Sequence, residues 1–159
     1  MELIEVILSK ENLNRAYKKV VANKGVSGVD GVTVKELGDY IRKNREEIIT
    51  SLRNRTYMPK PVRRVYIPKD NGKKRTLGIP TALDRTIQQA IAQPISDIYE
   101  EVFSGYSYGF RPGRSCHDAI RQALEYLNDG YEWVVDIDIE QFFDKVNHDK
   151  LIQILREQV

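Results

Sequence analysis

Asp136 and Asp138 stand two residues apart in the stretch Trp133-Val-Val-Asp-Ile-Asp-Ile-Glu140. On an extended strand such residues share a face, so both carboxylates project together with Cα atoms roughly 6.6 Å apart. That arrangement suits Mg²⁺, which takes oxygen ligands and usually keeps waters or substrate phosphates as well. Two acids alone more often mark an ordinary solvent-facing strand edge. Two further features tip the balance toward chemistry: Phe142-Phe143-Asp144 sets an aromatic pair beside the acids, and a basic segment elsewhere suits a triphosphate. Residues 53–85 carry ten Lys or Arg against two Asp, although the whole chain of 159 residues has a net charge of only +2. A charge run by itself is usually a solvated face. Here the cations alternate with strand-forming residues, which makes their geometry decisive.

The elements that must position these groups follow from periodicity. Ser9 precedes Leu13, Ala16, Tyr17, Val20 and Val21 at three- and four-residue steps, a capped amphipathic helix ending near Lys24-Gly25. Residues 25–31 hold three glycines and read as a flexible loop. Thr33 caps a helix through about Lys43, and residues 46–53 form a second helical piece. Residues 62–69 and 73–80 are expected as two strands, joined by Asp70-Asn71-Gly72, whose Asn and Gly tolerate the positive backbone angles of hairpin turns. Lys69, Lys73, Lys74 and Arg75 then cluster at the tip, and Pro68 demands an edge or a bulge. Leu83, Ile87, Ile91, Ile95, Ile98 and Val102 mark a buried helix with a kink or break at Pro94. Residues 103–114 are a Gly- and aromatic-rich loop tipped with Arg111 and Arg114, and Ser115 caps a helix through about Asn128. Trp133, Val135, Ile137 and Ile139 alternate with the acids as a strand, which leads into a helix over 148–158.

Composition narrows the classes. Hydrophobic residues make up 41% and charged residues 30%, which argues against a disordered tail or a membrane protein. The longest uncharged stretch, residues 86–96, is too short to span a bilayer, and Glu2 and Glu5 stand where a secretory signal carries basic and apolar residues. A cytoplasmic location is expected. The single cysteine, Cys116, excludes an internal disulfide or a cysteine-cluster zinc site. His117 and His148 lack ligand spacing and read as helix-start or surface residues. Arg111 and Arg114 fit phosphate contacts and loop carbonyl contacts equally well.

Three stretches, PVRRVYIPKDNGKKRTLGIPTALDRTIQQAI, SYGFRPGRSCHDAI and VVDIDIEQFFDKVNHDKL, closely resemble the reverse transcriptases encoded by group II introns, which also act as maturases in splicing. The similarity extends through NLNRAYKKVVANKGVSGVDG and covers nearly the whole chain. It implies an α+β fold: right-hand polymerase fingers with a partial palm, mainly helical, with a basic β-hairpin and a palm strand. Residues 1–60 correspond to an N-terminal extension, 61–130 to the fingers and 131–159 to the start of the palm. By the same match Asp138 is a catalytic metal ligand, the Ile139 backbone helps hold the second metal, and Phe143 is the steric gate at the sugar 2′ position. Lys69 and Arg75 grip the incoming nucleotide's phosphates. The basic residues Lys24, Arg63, Arg64, Lys73, Lys74, Arg85, Arg111 and Arg114 are expected at RNA, and residues 25–31 against the template. The implied cofactor is a pair of Mg²⁺ ions, and the implied partners are template and intron RNA, a DNA or RNA primer and deoxynucleoside triphosphates. The family's Tyr-Ala-Asp-Asp tetrapeptide does not occur here, so the resemblance implies a truncated polymerase that binds RNA but is catalytically incomplete alone.

Overall fold

Local capping and aliphatic spacing determine where the N-terminal helices begin and which faces they bury. The computed structural model describes residues 2–68, 72 and 74–158. Helix α1 (Leu3–Leu8) turns at Ser9 into α2 (Lys10–Ala22), where the Ser9 hydroxyl accepts from the Asn12 amide. Thr33 and Glu36 exchange side-chain and backbone hydrogen bonds just ahead of α3 (Leu37–Arg53). Instead of two helical pieces, α3 is continuous. Nothing between Lys43 and Glu46 breaks it, and the Asn44 side-chain amide donates back to the Tyr40 carbonyl at 2.8 Å. It closes with Arg55 at φ 57° and the Thr56 N–H donating to the Ser51 carbonyl, a left-handed helix stop.

Two compact units divide the chain, residues Met1–Ile95 and Ser96–Val159. In the first, Ile7, Leu8, Ala16 and Ala90 form one buried cluster, and Val20, Leu37 and Ala82 form another. Helix α4 (Ala82–Glu100) runs through Pro94 without a break. Proline has no N–H to offer the carbonyl four residues back. That carbonyl, of Ala90, accepts from the buried Asn12 side-chain amide at 2.8 Å instead. The same amide donates to the Ile7 carbonyl at 2.9 Å, and the Asn12 side-chain oxygen accepts from Gln93 at 2.7 Å. One polar side chain thereby joins α1, α2 and α4.

Between α3 and α4 lies the expected hairpin, β1 (Arg63–Pro68) paired antiparallel with β2 (Lys74–Ile79), from Arg63 opposite Ile79 to Pro68 opposite Lys74. Both strands are edges of a two-stranded sheet, which accommodates Pro68. Lys69, Asp70, Asn71 and Lys73 lie outside the described residues; Gly72 has φ 74°, in the region that favours glycine.

In the second unit, Ser115 and Asp118 form a reciprocal capping box at the start of α5 (Cys116–Asn128), and Gly130 at φ 93° ends the helix in a left-handed stop. Helices α6 (Phe142–Lys145) and α7 (His148–Gln158) follow, with Gln141 at φ 53° turning the chain into α6. The expected strand over Trp133 to Glu140 is not formed as a ladder. Residues 132–139 pair with no other segment among the described residues, and the apolar set that alternates with the acids is exposed, Trp133 at 93% and Ile139 at 65%. Alternation sets which side chains share a face, but a strand exists only through hydrogen bonds to a neighbour.

Candidate nucleic-acid and nucleotide site

The hairpin register determines which cations act together. Directly opposed residues of an antiparallel pair share a face. One face of the hairpin therefore carries Arg63, Val65, Ile67, Arg75, Leu77 and Ile79, the other Arg64, Tyr66, Lys74, Thr76 and Gly78. Arg63 and Arg75 sit at the two ends of the first face, about 13 Å apart along the strands. Lys74 and Arg75, expected together, point to opposite faces, because neighbours on a strand alternate. Both faces are largely solvent-exposed, so the guanidinium groups keep their hydration and their reach toward an anion.

A two-stranded hairpin is marginal by itself and needs an anchor. Asp84, only 3% exposed in the first turn of α4, supplies one. Its carboxylate accepts from the Tyr57 hydroxyl at 2.6 Å, the Thr81 hydroxyl at 2.6 Å and the Lys60 backbone N–H at 3.3 Å, while its own N–H donates to the Thr81 hydroxyl. Lys60 precedes β1 and Thr81 follows β2, so one buried acid ties both roots of the hairpin. Burial first, then the Asp84 carboxylate, pushes the Tyr57 hydroxyl well above its ordinary value of 10.0 and keeps it a donor. The pattern Thr81-Ala-Leu-Asp84 is a capping signature that could have marked this residue in advance.

The glycine-rich loop is held, not free. Arg85 donates to the Val26 carbonyl at 2.7 Å, Asp30 caps the Val32 N–H, and Lys60 stands 3.8 Å from Asp30. Gly28 packs so closely on the Pro80-Thr81 backbone that a Cβ would lie 2.7 Å from the Thr81 Cα. Lys24 is exposed at φ 48°, just past α2.

In the second unit Arg111 is 8% exposed; it pairs with Glu100 at 2.6 Å, donates to the Ser104 and Ser107 carbonyls, and lies 5.3 Å over the Phe103 ring. Its hydrogen bond holds the Glu100 carboxyl below its ordinary 4.5. Arg114 donates to the Gly105 carbonyl and lies 5.5 Å from the centre of the Tyr108 ring. Three arginines expected at RNA, Arg85, Arg111 and Arg114, thus direct donors to loop carbonyls, the acceptors that irregular backbone leaves open. Asp138 and Ile139 lie in the exposed unpaired stretch, and Phe143 is 88% exposed against 48% for Phe142, their rings edge-on at 5.5 Å. The Asp138 carboxylate and the Ile139 carbonyl are hard oxygen donors of the kind Mg²⁺ takes. Among the described residues, no three His, Cys, Asp or Glu side chains converge on one point.

The described chain is a mainly helical protein that carries an exposed two-faced basic hairpin and an acid-aromatic stretch. The family model described as reverse transcriptase (RNA-dependent DNA polymerase) matches residues 67–158, from β1 to the end of α7. Group II intron-encoded protein LtrA of Lactococcus lactis subsp. cremoris is 41% identical over 145 residues, 91% of this chain. Protein YkfC of Escherichia coli (strain K12) is 39% identical over 163 residues, 99% of this chain, and the putative COX1/OXI3 intron 2 protein of Saccharomyces cerevisiae 33% over 147 residues, 91% of it. The chain belongs to the reverse transcriptase family, in its group II intron reverse transcriptase/maturase branch. It spans 24% of the Lactococcus protein's length, 43% of the Escherichia protein's and 17% of the yeast protein's. No helix among the described residues is long and apolar enough to cross a membrane.

Proposed function

We propose that this chain grips template and nucleotide in an RNA-directed DNA polymerase of a group II intron, with residues 1–60 as the N-terminal extension, 61–130 as the fingers and 131–159 as the start of the palm. The observation that carries this reading is the hairpin register, with Arg63 and Arg75 on one exposed face of a scaffold anchored by Asp84. Arg75, with Lys69, neutralises the phosphates of an incoming deoxynucleoside triphosphate. Arg63, Arg64, Lys73, Lys74 and Lys24 contact the phosphates of template and intron RNA and of the primer. Arg85, Arg111 and Arg114 act by shaping the loops that lie beside that RNA. Asp138 and the Ile139 carbonyl hold Mg²⁺, with two ions in the complete enzyme. When bound, the ions stabilise the attacking and leaving oxygens of phosphoryl transfer. Phe143, the more exposed of the aromatic pair, sits beneath the sugar and excludes a 2′-hydroxyl by bulk. Because the Tyr-Ala-Asp-Asp tetrapeptide does not occur in these 159 residues, this chain binds RNA but does not extend a primer by itself.

A second reading, an RNA-binding splicing cofactor without polymerase chemistry, draws support from nuclear intron maturase 1 of Arabidopsis thaliana, 31% identical over half of this chain. Asp138→Asn separates the two. In a polypeptide extended to the rest of the palm, the polymerase reading expects primer extension to vanish with RNA affinity unchanged. Extension that survives the substitution overturns it.

A further inference from the structure

A cleft in the first unit is lined by no residue of the hairpin. Its volume is about 340 Å³. Helix α3 lines one wall with Gly38, Ile41, Arg42, Arg45, Ile48, Ile49 and Leu52, a single continuous face at three- and four-residue steps. At 1.5 Å per residue that wall is about 21 Å long. Helix α2 forms the other wall through Lys10, Leu13, Asn14 and Tyr17, and α4 supplies Leu83, Thr86 and Ile87. Leu13, Ile41, Ile48, Ile49, Leu52 and Leu83 are only partly buried. The charged lining residues are Lys10, Arg42 and Arg45; none of the fourteen is acidic. Asp39 pairs with Arg42 from outside the lining, an exposed pair of little strength that a ligand carboxylate displaces at small cost.

Three features together identify an occupant. A trough walled by two helices and about four helical turns long matches the way amphipathic helices lay an apolar face into a groove, reading anchors at i, i+3, i+4 and i+7. Seven of the fourteen lining residues are Leu or Ile and Tyr17 is the one aromatic among them, so the trough offers bases a single stacking ring instead of a row of them, which argues against RNA there. Lining charges that are all cationic, with only the weak exposed Asp39 pair beside Arg42, select acidic flanks. We infer that this cleft binds an amphipathic helix of a protein partner, with aliphatic anchors on one face and Asp or Glu beside them. The inference goes beyond the polymerase reading and uses none of its residues.

The test uses the 159-residue chain and a synthetic helical peptide with Leu at anchor positions and Glu on both flanks, beside a copy with Lys in place of every Glu. Binding is followed by fluorescence anisotropy and by methyl NMR of Ile41, Ile48 and Ile49. The Glu peptide binds and shifts those methyls, and Arg42→Glu with Arg45→Glu weakens it roughly tenfold while improving the Lys peptide. Ile48→Ala weakens both peptides and leaves the circular dichroism spectrum unchanged. Equal affinity for the two peptides overturns the inference, as does indifference to the charge reversal. It is equally overturned if an RNA hairpin shifts the same methyls at lower concentration, or if sedimentation reveals a dimer that the charge reversal dissolves, since RNA or a second copy is then the occupant.

Discussion

Removing the Asn12 side chain strands two buried carbonyls, and the cost of doing so can be worked out from the structure. In Asn12→Ala the Ala90 oxygen loses its donor at 2.8 Å and the Ile7 oxygen its donor at 2.9 Å, both in a site where Asn12 is 6% exposed. An unsatisfied buried acceptor costs about 1–3 kcal/mol, so stranding two of them destabilises the fold by about 2–6 kcal/mol. Pro94 is the reason Ala90 needs Asn12 at all, and that makes the account falsifiable by a double-mutant cycle. In Pro94→Ala a backbone N–H returns at position 94 and takes up the Ala90 oxygen within α4. Asn12→Ala in that background then strands only the Ile7 oxygen, and its cost falls by about 1–3 kcal/mol. Urea denaturation of the four proteins, with equal m-values, measures the coupling. A cost below about 1 kcal/mol for the single substitution, or the same cost in both backgrounds, refutes the reasoning.

Asp84→Ala leaves the Tyr57 and Thr81 hydroxyls and the Lys60 N–H without their shared acceptor and costs about 2–5 kcal/mol, whereas Tyr57→Phe removes one donor and costs about 1 kcal/mol; equal losses in urea melts would remove Asp84 as the anchor of the hairpin. RNA affinity of the chain falls steeply with salt because phosphate contacts release counterions, and Arg63→Ala and Arg75→Ala each reduce the log-log slope by roughly one. A flat slope contradicts the polyanion reading. The Glu100 carboxyl lies below its ordinary 4.5, so its ion pair with Arg111 contributes fully above that value and is lost as pH falls through the lower, folded one. Near-ultraviolet circular dichroism of the neighbouring aromatic residues therefore changes in that acid window, and Glu100→Gln abolishes the change. In the palm-extended polypeptide, Phe143→Ala raises ribonucleotide incorporation relative to deoxynucleotide, and Phe142→Ala does not; the reverse pattern reassigns the gate.

Features encoded by residues close in sequence were legible without coordinates. Ser9 and Ser115 start their helices because a cap needs only a hydroxyl and an amide three residues on, and the hairpin forms where strand alternation meets a turn signal. The reverse transcriptase motifs are likewise linear, and the family match covers residues 67–158, where most of them lie. Tertiary structure decided what depends on residues far apart or on a partner. Asn12 reaches Ala90 across 78 residues to serve a carbonyl that Pro94 leaves open, and no local pattern records that need. Asp84 looked like one acid in a basic segment, yet burial makes it the acceptor for donors before and after the hairpin. Arg111 could have faced phosphate or its own loop, and the choice fell to the loop because Glu100 and two carbonyls converge on it. Around Asp138 the sequence specifies which side chains alternate, but not a strand: alternation belongs to the chain, whereas a ladder requires donors and acceptors from a second segment.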